Sequence, residues 1–325
     1  MLVLSEKEVQ SLAEVQELIP VLERAHIQYS TGKAVMPVRL VVPLPQIKGR
    51  ITSMPGYLNE DKALGIKVVT FFPNNLKQNL PQILATVMLF SADTGKMIAA
   101  MDGNYITAIR TACVSAMATK ALANPESRVL GVLGAGVQAR AHIRALTQIR
   151  KISEIRVYDI FEASARHLQQ SLQNEIGVKI DVVQSAREAV QGADLLVTVT
   201  TAQEPIVKAD WLKPGMHINA VGSHRPDLRE IDGATLAAAK IVVDSREAIM
   251  AECGDILLAI QEKAITADTI HAEIGAVLAG KKAGRTSSDE ITLYKAVGIA
   301  IQDVATAHLV YRKALEQNVG TNIEV

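Results

Sequence analysis

The chain has 325 residues, of which 49% are hydrophobic and 21% are charged, a composition typical of a globular protein long enough for two domains. Its 34 basic and 34 acidic residues balance, and it has no apolar run of about 20 residues, so neither a nucleic acid nor a membrane is expected as a partner. The cysteines, Cys113 and Cys253, are far apart and the first ten residues lack a secretory pattern, so we expect a cytoplasmic protein without disulfides.

The first third of the chain predicts a helix followed by antiparallel strands. Ser5 and Glu8 form a capping-box pattern at the start of residues 5–31, where apolar residues recur at helical spacing. Short β-type runs, separated by Pro, Gly and Asn, follow between residues 36 and 103. The predicted strands are Val38–Val42, Gly65–Phe72, Ile83–Phe90 and Met97–Met101. An alanine-rich helix is predicted at Ile106–Ala121.

From Arg128 onward, strand patterns alternate with helical patterns, which predicts a doubly wound parallel sheet of the Rossmann type. The predicted strands are Val129–Leu133, Ile155–Asp159, Ile180–Gln184, Leu195–Thr200, His217–Val221 and Ile241–Asp244. Glu290–Leu315 is predicted as a last helix that returns to the first domain. The expected fold is therefore α/β, with a Rossmann domain at residues 120–290 inserted in a smaller α+β domain made of residues 1–119 and 291–325.

A glycine-rich turn after the first of these parallel strands has the pattern of a dinucleotide-binding loop. Residues 134–139, Gly-Ala-Gly-Val-Gln-Ala, match G-x-G-x-x-A between a strand and a helix, which is the context that the motif requires. Asp159 ends the second strand, where a carboxylate bonds the adenosine ribose and disfavours a 2′-phosphate. We therefore expect NAD(H) as the cofactor, with NADP(H) left open. The alternative is an ordinary tight turn in which Asp159 only caps a helix.

Basic residues interrupt apolar runs of the first domain at Arg39, Lys67 and Arg110, which predicts that each is at least partly buried. A buried cation needs an anion, either a protein carboxylate or a ligand. For each of these residues taken alone, a structural ion pair and a binding role are equally open. The histidines show no metal-binding spacing such as HExxH, so no metal is expected.

These residues belong to motifs by which the chain resembles the ornithine cyclodeaminase/mu-crystallin family over nearly its whole length. The motifs are Met36-Pro37-x-Arg39, Met54-Pro55-Gly56-Tyr57, Gly65-x-Lys67, Asn79-Leu80-Pro81, Ile109-Arg110-Thr111-Ala112, Gly134-Ala135-Gly136-x-Gln138-Ala139, Asn219-Ala220-Val221-Gly222 and Ile291-Thr292-Leu293-Tyr294-Lys295. The resemblance implies a homodimer that joins through the sheets of the first domain. The family includes ornithine cyclodeaminases, alanine dehydrogenases and reductases of cyclic imino acids.

The resemblance also implies roles for individual residues. Arg39 and Arg110 would hold the carboxylate of a small imino or amino acid, and Lys67 would contact the reacting nitrogen. Met54 and Thr292 would complete the substrate contacts. The implied contacts to the dinucleotide are Arg110, Thr111, Gly134, Gly136, Val137, Gln138, Asp159, Thr200, Asn219, Ala220, Val221 and Ser223.

The segment after the fifth parallel strand differs between the activities of this family. Cyclodeaminases have an aspartate, which does acid–base work, at the place of His224, and the pattern NAVGSxRPDxRE resembles the imine-reductase and mu-crystallin branch. We therefore expect reduction of Δ1-pyrroline-2-carboxylate, Δ1-piperideine-2-carboxylate or both, to L-proline and L-pipecolate. Lys67 is a candidate proton donor, because burial beside two arginines should lower its pKa. His224 is a second candidate, with a wall position in the pocket equally open.

Three other activities stay open from the sequence. The first is ornithine cyclodeamination, the second is amino-acid dehydrogenation with alanine as substrate, and the third is cofactor binding with little chemistry, as in a crystallin. The presence of Arg39, Lys67 and Arg110 disfavours the third, because a pure cofactor-binding protein has no need of a lysine between two arginines.

Overall fold

The computed structural model describes residues 1–324, with Leu76 described by its backbone only. The chain divides into two compact units, Met1–Thr111 with Ile299–Val325, and Ala112–Gly298. The division falls at residues 111 and 298, whereas the sequence pattern placed it at 119 and 290. Among the described residues, no helix is long and apolar enough to cross a membrane.

The strands are β1 (Leu2–Leu4), β2 (Ala34–Val35), β3 (Leu40–Leu44), β4 (Gly49–Leu58), β5 (Ala63–Phe71), β6 (Ile83–Ser91), β7 (Met97–Asp102), β8 (Val129–Leu133), β9 (Glu154–Tyr158), β10 (Ile180–Val182), β11 (Leu195–Thr198), β12 (His217–Ala220), β13 (Lys240–Val243), β14 (Ile270–Glu273), β15 (Thr292–Lys295) and β16 (Thr321–Asn322). The α-helices are α1 (Glu6–Leu12), α2 (Val15–Ser30), α3 (Gly103–Leu122), α4 (Val137–Ile149), α5 (Glu162–Ile176), α6 (Ala186–Val190), α7 (Gly233–Ala238), α8 (Arg246–Glu252), α9 (Gly254–Gln261), α10 (Ile274–Leu278) and α11 (Ala300–Gln317). Short 3-10 helices lie at Pro45–Ile47, Pro73–Gln78, Ala209–Trp211 and Ala267–Thr269.

The first unit contains a mixed sheet with the strand order β16-β1-β7-β6-β5-β4-β2, and β3 also pairs with β4. β1 and β7 are parallel, whereas β4, β5, β6 and β7 form the antiparallel meander that the sequence predicts. The long strand β4 was not predicted, because Pro55 and Gly56 are unfavourable in strand interiors and interrupt its run of β-type residues. α11 packs on β4, β5 and β6 and against α2.

The predicted helix at residues 5–31 is divided into α1 and α2. The apolar pattern continues across the break at Ala13 and Glu14, so periodicity alone did not reveal it. The predicted capping box is present, because the Ser5 backbone N–H donates to Glu8 Oε2 at 2.7 Å and the Ser5 hydroxyl accepts from the Glu8 backbone N–H at 3.5 Å. This start of α1 is thus fixed by local sequence.

The second unit contains a Rossmann-type parallel sheet, which confirms the predicted fold class. Among the described residues this sheet has eight strands, in the order β10-β9-β8-β11-β12-β15-β13-β14. The six predicted strands are present, and β14 and β15 are additional. The prediction of one helix at Glu290–Leu315 was wrong, because Thr292–Lys295 forms β15 between β12 and β13 and α11 begins at Ala300. A short buried run next to a helical pattern cannot be assigned to strand or helix by periodicity.

Candidate active site

Lys67 lies on β5 and is buried, with 1% of its surface exposed. Its Nζ donates to Asp303 Oδ1 at 2.7 Å and to Thr107 Oγ1 at 3.3 Å. Arg110 on α3 donates through Nε to the same oxygen of Asp303 at 2.9 Å. We call Lys67, Arg110 and Asp303 the cation cluster, in which two buried cations share one oxygen of the Asp303 carboxylate. The other oxygen, Asp303 Oδ2, is buried and has no hydrogen-bond partner within residues 1–324.

Glycines on adjacent strands allow α11 to carry Asp303 up to Lys67. Gly56 on β4 and Gly65 on β5 lie opposite each other in the sheet. A Cβ added to Gly56 would lie 3.3 Å from the Cβ of Ala300. A Cβ added to Gly65 would lie 2.8 Å from Leu89 Cδ2 and 3.3 Å from Val304 Cγ2. Lys67 is two residues after Gly65 and shares its face of the strand, so the close approach of α11 places a carboxylate beside the lysine.

The electrostatics of the cation cluster favour an anionic ligand. Burial lowers the pKa of Lys67 to about 7; the charge of Asp303 opposes this shift, whereas Arg110 and Arg39 strengthen it. Arg39 is half-buried in the segment between β2 and β3. When Lys67 is protonated, Lys67 and Arg110 together carry more positive charge than the one negative charge of Asp303 offsets. A substrate carboxylate would balance this excess.

Hydrogen bonds from α11 hold the guanidinium of Arg110, and a residue of α2 supports one of the α11 side chains. Arg110 Nη1 donates to Gln302 Oε1 at 2.7 Å, and Gln302 Nε2 donates to His26 Nε2 at 3.2 Å. Burial and the charge of Arg110 lower the pKa of His26 to about 3, so this imidazole is neutral and accepts the hydrogen bond. Asp303 and Gln302 therefore fix the plane of the guanidinium from consecutive positions of one helix.

Sequence patterns predicted the cations of the cluster but not their partners. Asp303 and Gln302 were missed, although an acid between the apolar residues Ile301 and Val304 is a signal of a buried partner. Met54 is buried on β4, directly opposite Lys67 in the strand register, so the structure brings these expected substrate residues together.

Thr292 lies on β15 in the second unit. It is fully buried, its hydroxyl donates to the Leu122 carbonyl at 3.0 Å, and it accepts from Arg285 Nη2 at 3.0 Å. These contacts join β15 to the end of α3 and to Arg285 within the second unit. The role of Thr292 in substrate binding stays a prediction.

The glycine-rich loop of the second unit has an open cradle at the start of α4. Gly134 has φ +102°, and a Cβ there would lie 2.9 Å from the Val199 carbonyl oxygen. A Cβ on Gly136 would meet no heavy atom of the described residues within 4 Å. Among the described residues, no side chain caps α4, and the buried Gln138 Oε1 has no hydrogen-bond partner. The first N–H groups of α4 are therefore free of side-chain caps and could hold a phosphate.

Asp159 ties the end of β9 to this loop. Its Oδ2 accepts from the Ala135 backbone N–H at 2.8 Å, and its Oδ1 accepts from the Phe161 N–H at 2.9 Å. Val137, Ile160 and Phe161 are exposed around the loop. The open cradle, the uncapped helix start and the carboxylate at the second strand fit a dinucleotide.

The polar residues after β11 and β12 make internal hydrogen bonds. Thr200 Oγ1 donates to Glu230 Oε1 at 2.8 Å, and Ser223 Oγ donates to the Leu228 carbonyl at 2.7 Å. The amide of the buried Asn219 donates to Thr119 Oγ1 at 2.9 Å. The Thr200 and Ser223 side chains therefore shape the turns in which they lie, and Asn219 joins β12 to α3.

The remaining expected contacts occupy different positions. Ala220 ends β12, and Val221 is half-buried after it. Thr111 on α3 donates to the Thr107 carbonyl at 2.7 Å. His224 is half-buried, and its Nδ1 donates to the Gly222 carbonyl at 2.8 Å, because a carbonyl can only accept. Over residues 1–324, no group of three side chains is arranged to hold a metal ion.

Comparisons with known proteins agree with this architecture. A profile of the ornithine cyclodeaminase/mu-crystallin family matches residues 1–318. The ketimine reductase mu-crystallin of Mus musculus is 42% identical over 312 residues, which cover 95% of this chain and 96% of that protein.

Solved structures are similar over the whole chain. The Δ1-pyrroline-2-carboxylate reductase of Thermococcus litoralis, in complex with NADH and L-proline, superposes with a TM-score of 0.96 at 43% identity, covering 99% of this chain and 100% of that chain. An archaeal alanine dehydrogenase dimer with bound NAD has a TM-score of 0.93 at 39% identity, covering 100% of this chain and 99% of that chain. The fold, the glycine-rich loop, the cation cluster and these similarities lead to one conclusion: the chain belongs to the ornithine cyclodeaminase/mu-crystallin family.

Proposed function

We propose that the protein is an NAD(H)-dependent reductase of a cyclic imino acid, with Δ1-pyrroline-2-carboxylate, Δ1-piperideine-2-carboxylate or both as substrate. The observation that carries this proposal is the cation cluster, in which Lys67 and Arg110 share a carboxylate oxygen of Asp303. The products would be L-proline and L-pipecolate. The reductase of Thermococcus litoralis, with its bound NADH and L-proline, supports the same substrate class.

Arg39 and Arg110 are the proposed clamp for the substrate carboxylate. A guanidinium pairs with a carboxylate through two parallel hydrogen bonds, and its charge does not depend on pH in the physiological range. The fixed orientation of Arg110 by Gln302 and Asp303 reduces the ordering that substrate binding would require. Met54 supplies an apolar surface beside Lys67 that suits the methylene groups of a ring.

Lys67 is the proposed proton donor to the ring nitrogen. Reduction of the C=N bond adds a hydride to carbon and requires a positively charged, protonated nitrogen. A lysine with a pKa of about 7 exchanges protons near neutrality, where an ordinary lysine would hold its proton. After transfer, the neutral amine can recover a proton from solvent. His224 keeps a secondary place in this proposal, because an imidazole can also donate a proton.

NAD(H) is the proposed cofactor, and when bound it supplies the hydride. Gly134, Gly136, Val137 and Gln138 would hold the pyrophosphate at the start of α4. Asp159 would accept hydrogen bonds from the adenosine ribose and disfavour NADP(H). Both similar structures contain NAD in one of its redox states.

We propose a second copy of this chain as the partner of the first unit. Val35, Leu40 and Val42 are exposed apolar residues on β2 and β3, and Ile83 and Leu84 are exposed at the start of β6. β3 pairs with β4 on one side, so its other edge can accept another strand or surface. The dimeric state named for the archaeal alanine dehydrogenase supports this assembly.

Amino-acid dehydrogenation with alanine is the second candidate, because the archaeal alanine dehydrogenase is nearly as similar as the reductase. The same cations could hold the carboxylate of pyruvate and the imine formed from it with ammonia. A substrate panel separates these activities. NADH oxidation should be measured with Δ1-pyrroline-2-carboxylate, with Δ1-piperideine-2-carboxylate, and with pyruvate plus ammonia.

We expect the highest kcat/KM with a cyclic imino acid. A higher value with pyruvate and ammonia would replace the proposal by alanine dehydrogenase. Ornithine is tested separately for ammonia release, which we expect to be negligible, because His224 offers no carboxylate to hold the distal ammonium group. Ammonia release from ornithine at a rate near that of imine reduction would favour a cyclodeaminase.

A further inference from the structure

Glu230 is a fully buried carboxylate that joins the ends of neighbouring strands in the second unit. Its Oε1 accepts from the Thr200 backbone N–H at 2.6 Å and from the Thr200 hydroxyl at 2.8 Å. Its Oε2 accepts from the Thr198 hydroxyl at 2.7 Å and from the Gly222 N–H at 2.8 Å. The turn after β11 and the turn after β12 are therefore fixed to the same side chain.

The surroundings of Glu230 leave no room for rearrangement. A Cβ on Gly222 would lie 2.2 Å from the Thr200 carbonyl oxygen and 2.5 Å from Glu230 Cδ, so only glycine fits against the carboxylate. Asp255 Oδ1 accepts from the backbone N–H of Glu230 at 2.7 Å, and Asp255 Oδ2 lies 3.0 Å from the Nζ of the buried Lys295 at the end of β15. Glu230 is thus itself held in place by a buried ion pair.

The sheet order indicates which half of a dinucleotide these turns serve. β8 and β9 carry the glycine-rich loop and Asp159, which fit the pyrophosphate and the adenosine ribose. β11 and β12 lie on the other side of β8, past the point where the strand order reverses. In doubly wound sheets the second mononucleotide binds at the carboxyl ends of these strands.

We propose that Glu230 is a positioning residue for the nicotinamide half of the cofactor site. This inference rests on the cofactor of the proposed function and not on its substrate. Glu230 acts through the turns that contain Thr198, Thr200 and Gly222, and it also closes the loop that carries His224. The adenosine half of the site, built on Gly134, Gly136 and Asp159, does not depend on it.

Replacing the carboxylate by an amide tests this inference, because the hydrogen-bond pattern does not accommodate the amide. In Glu230→Gln the amide nitrogen must take the place of either Oε1 or Oε2. It would then face the backbone N–H of Thr200 or that of Gly222, which are both donors. Two buried donors that face each other without an acceptor repel, so the turn should move away from residue 230.

The experiment compares the binding of NADH with that of ADP-ribose, which lacks the nicotinamide. NADH is titrated by its fluorescence and ADP-ribose by calorimetry, and the thermal midpoint of each variant is recorded. We expect Glu230→Gln to weaken NADH by about 10-fold or more and ADP-ribose by less than about 2-fold. Thr198→Val removes one hydroxyl donor and keeps the carboxylate, so it should weaken NADH by about 3-fold and leave ADP-ribose unchanged. It also provides the test if Glu230→Gln does not fold.

Asp227→Asn is the matched control, because Asp227 is an exposed carboxylate of the same loop whose side chain pairs with Arg225. It should leave both affinities unchanged. Unchanged NADH binding in Glu230→Gln and Thr198→Val, or an equal loss for NADH and ADP-ribose, would overturn the inference. The test uses no imino acid, so a protein that binds NADH but reduces no cyclic imine refutes the proposed function and leaves this inference standing.

Discussion

Lys67 and Arg110 share one oxygen of Asp303 in a buried site, and the burial of this site is the main influence on the pKa of the lysine. Burial lowers its pKa from 10.5 to about 7, although Asp303 favours the charged form. Because the unfolded chain binds more protons between about pH 7 and 10.5, the contribution of this site to stability rises with pH through that window. Below about pH 7 the lysine is charged in both states, and the contribution no longer changes with pH.

The same pKa predicts the pH dependence of catalysis. If protonated Lys67 supplies the proton, kcat/KM for the cyclic imino acid should fall as the pH rises above about 7. Lys67→Met should lower kcat by about 100-fold and remove this pH limb. Lys62→Met serves as the control and should keep the wild-type pH–rate curve. Lys62 is an exposed lysine of the β4–β5 turn, and it pairs with Asp93. A Lys67→Met variant that retains the limb would assign the proton to another group.

Asp159 predicts the cofactor preference at the same scale. Asp159→Ser should reduce the ratio of kcat/KM for NADH to that for NADPH by about 10-fold, which corresponds to about 1.4 kcal/mol. The carboxylate no longer repels the 2′-phosphate, and NADH itself loses a ribose contact. Asp181→Ser, on the adjacent strand β10 and paired with Lys179, should leave the ratio unchanged. A wild-type enzyme that already prefers NADPH would contradict this role of Asp159.

At the scale of elements, β15 shows how a short strand is held inside the parallel sheet. Arg285 Nε donates to the Leu122 carbonyl at the end of α3 at 2.7 Å, and its Nη2 donates to the Gly215 carbonyl before β12 at 3.0 Å. Arg285 Nη2 also donates to Thr292 Oγ1 on β15, and Nη1 donates to the Glu290 carbonyl. A single guanidinium therefore connects α3, β12 and β15.

Arg285→Met should destabilise the second unit, because it removes the charged donor that joins these partly buried carbonyl groups. We expect the free energy of unfolding, measured in urea, to fall by about 2–4 kcal/mol. Arg166→Met is the control, since Arg166 forms an exposed pair with Glu162 along α5 and should change stability by less than about 0.5 kcal/mol. Equal effects of the two substitutions would show that the Arg285 contacts contribute no more than a surface pair.

At the scale of the whole molecule, the exposed apolar residues of β2, β3 and β6 predict assembly through the first unit. Leu40→Lys places a charge on β3, where 63% of the leucine is exposed, and should convert a dimer into monomers at micromolar concentration. The mass in solution is measured by light scattering after size-exclusion chromatography. Leu315→Lys, at a leucine of α11 that is 53% exposed, should leave the mass unchanged. A monomeric wild-type protein would contradict the proposed assembly.

Features that depend on neighbouring residues could be predicted from the amino-acid sequence alone. The capping box at Ser5 and Glu8 and the glycine-rich loop between β8 and α4 were predicted, because their partners are a few residues apart and local geometry requires those residue types. The parallel sheet followed from alternating strand and helix patterns. The cations Arg39, Lys67 and Arg110 were identified because charges interrupt apolar runs.

The partners of those cations became known from the packing of distant segments. Lys67 and Asp303 are 236 residues apart, and nothing in the local pattern of either one identifies the other. Their contact requires Gly56 and Gly65 to admit α11 to the sheet. The same holds for β15, whose buried residues fit a strand or a helix until β12 and β13 pair with it. Contacts between distant segments depend on how elements pack, and packing is not encoded in the periodicity of any one segment.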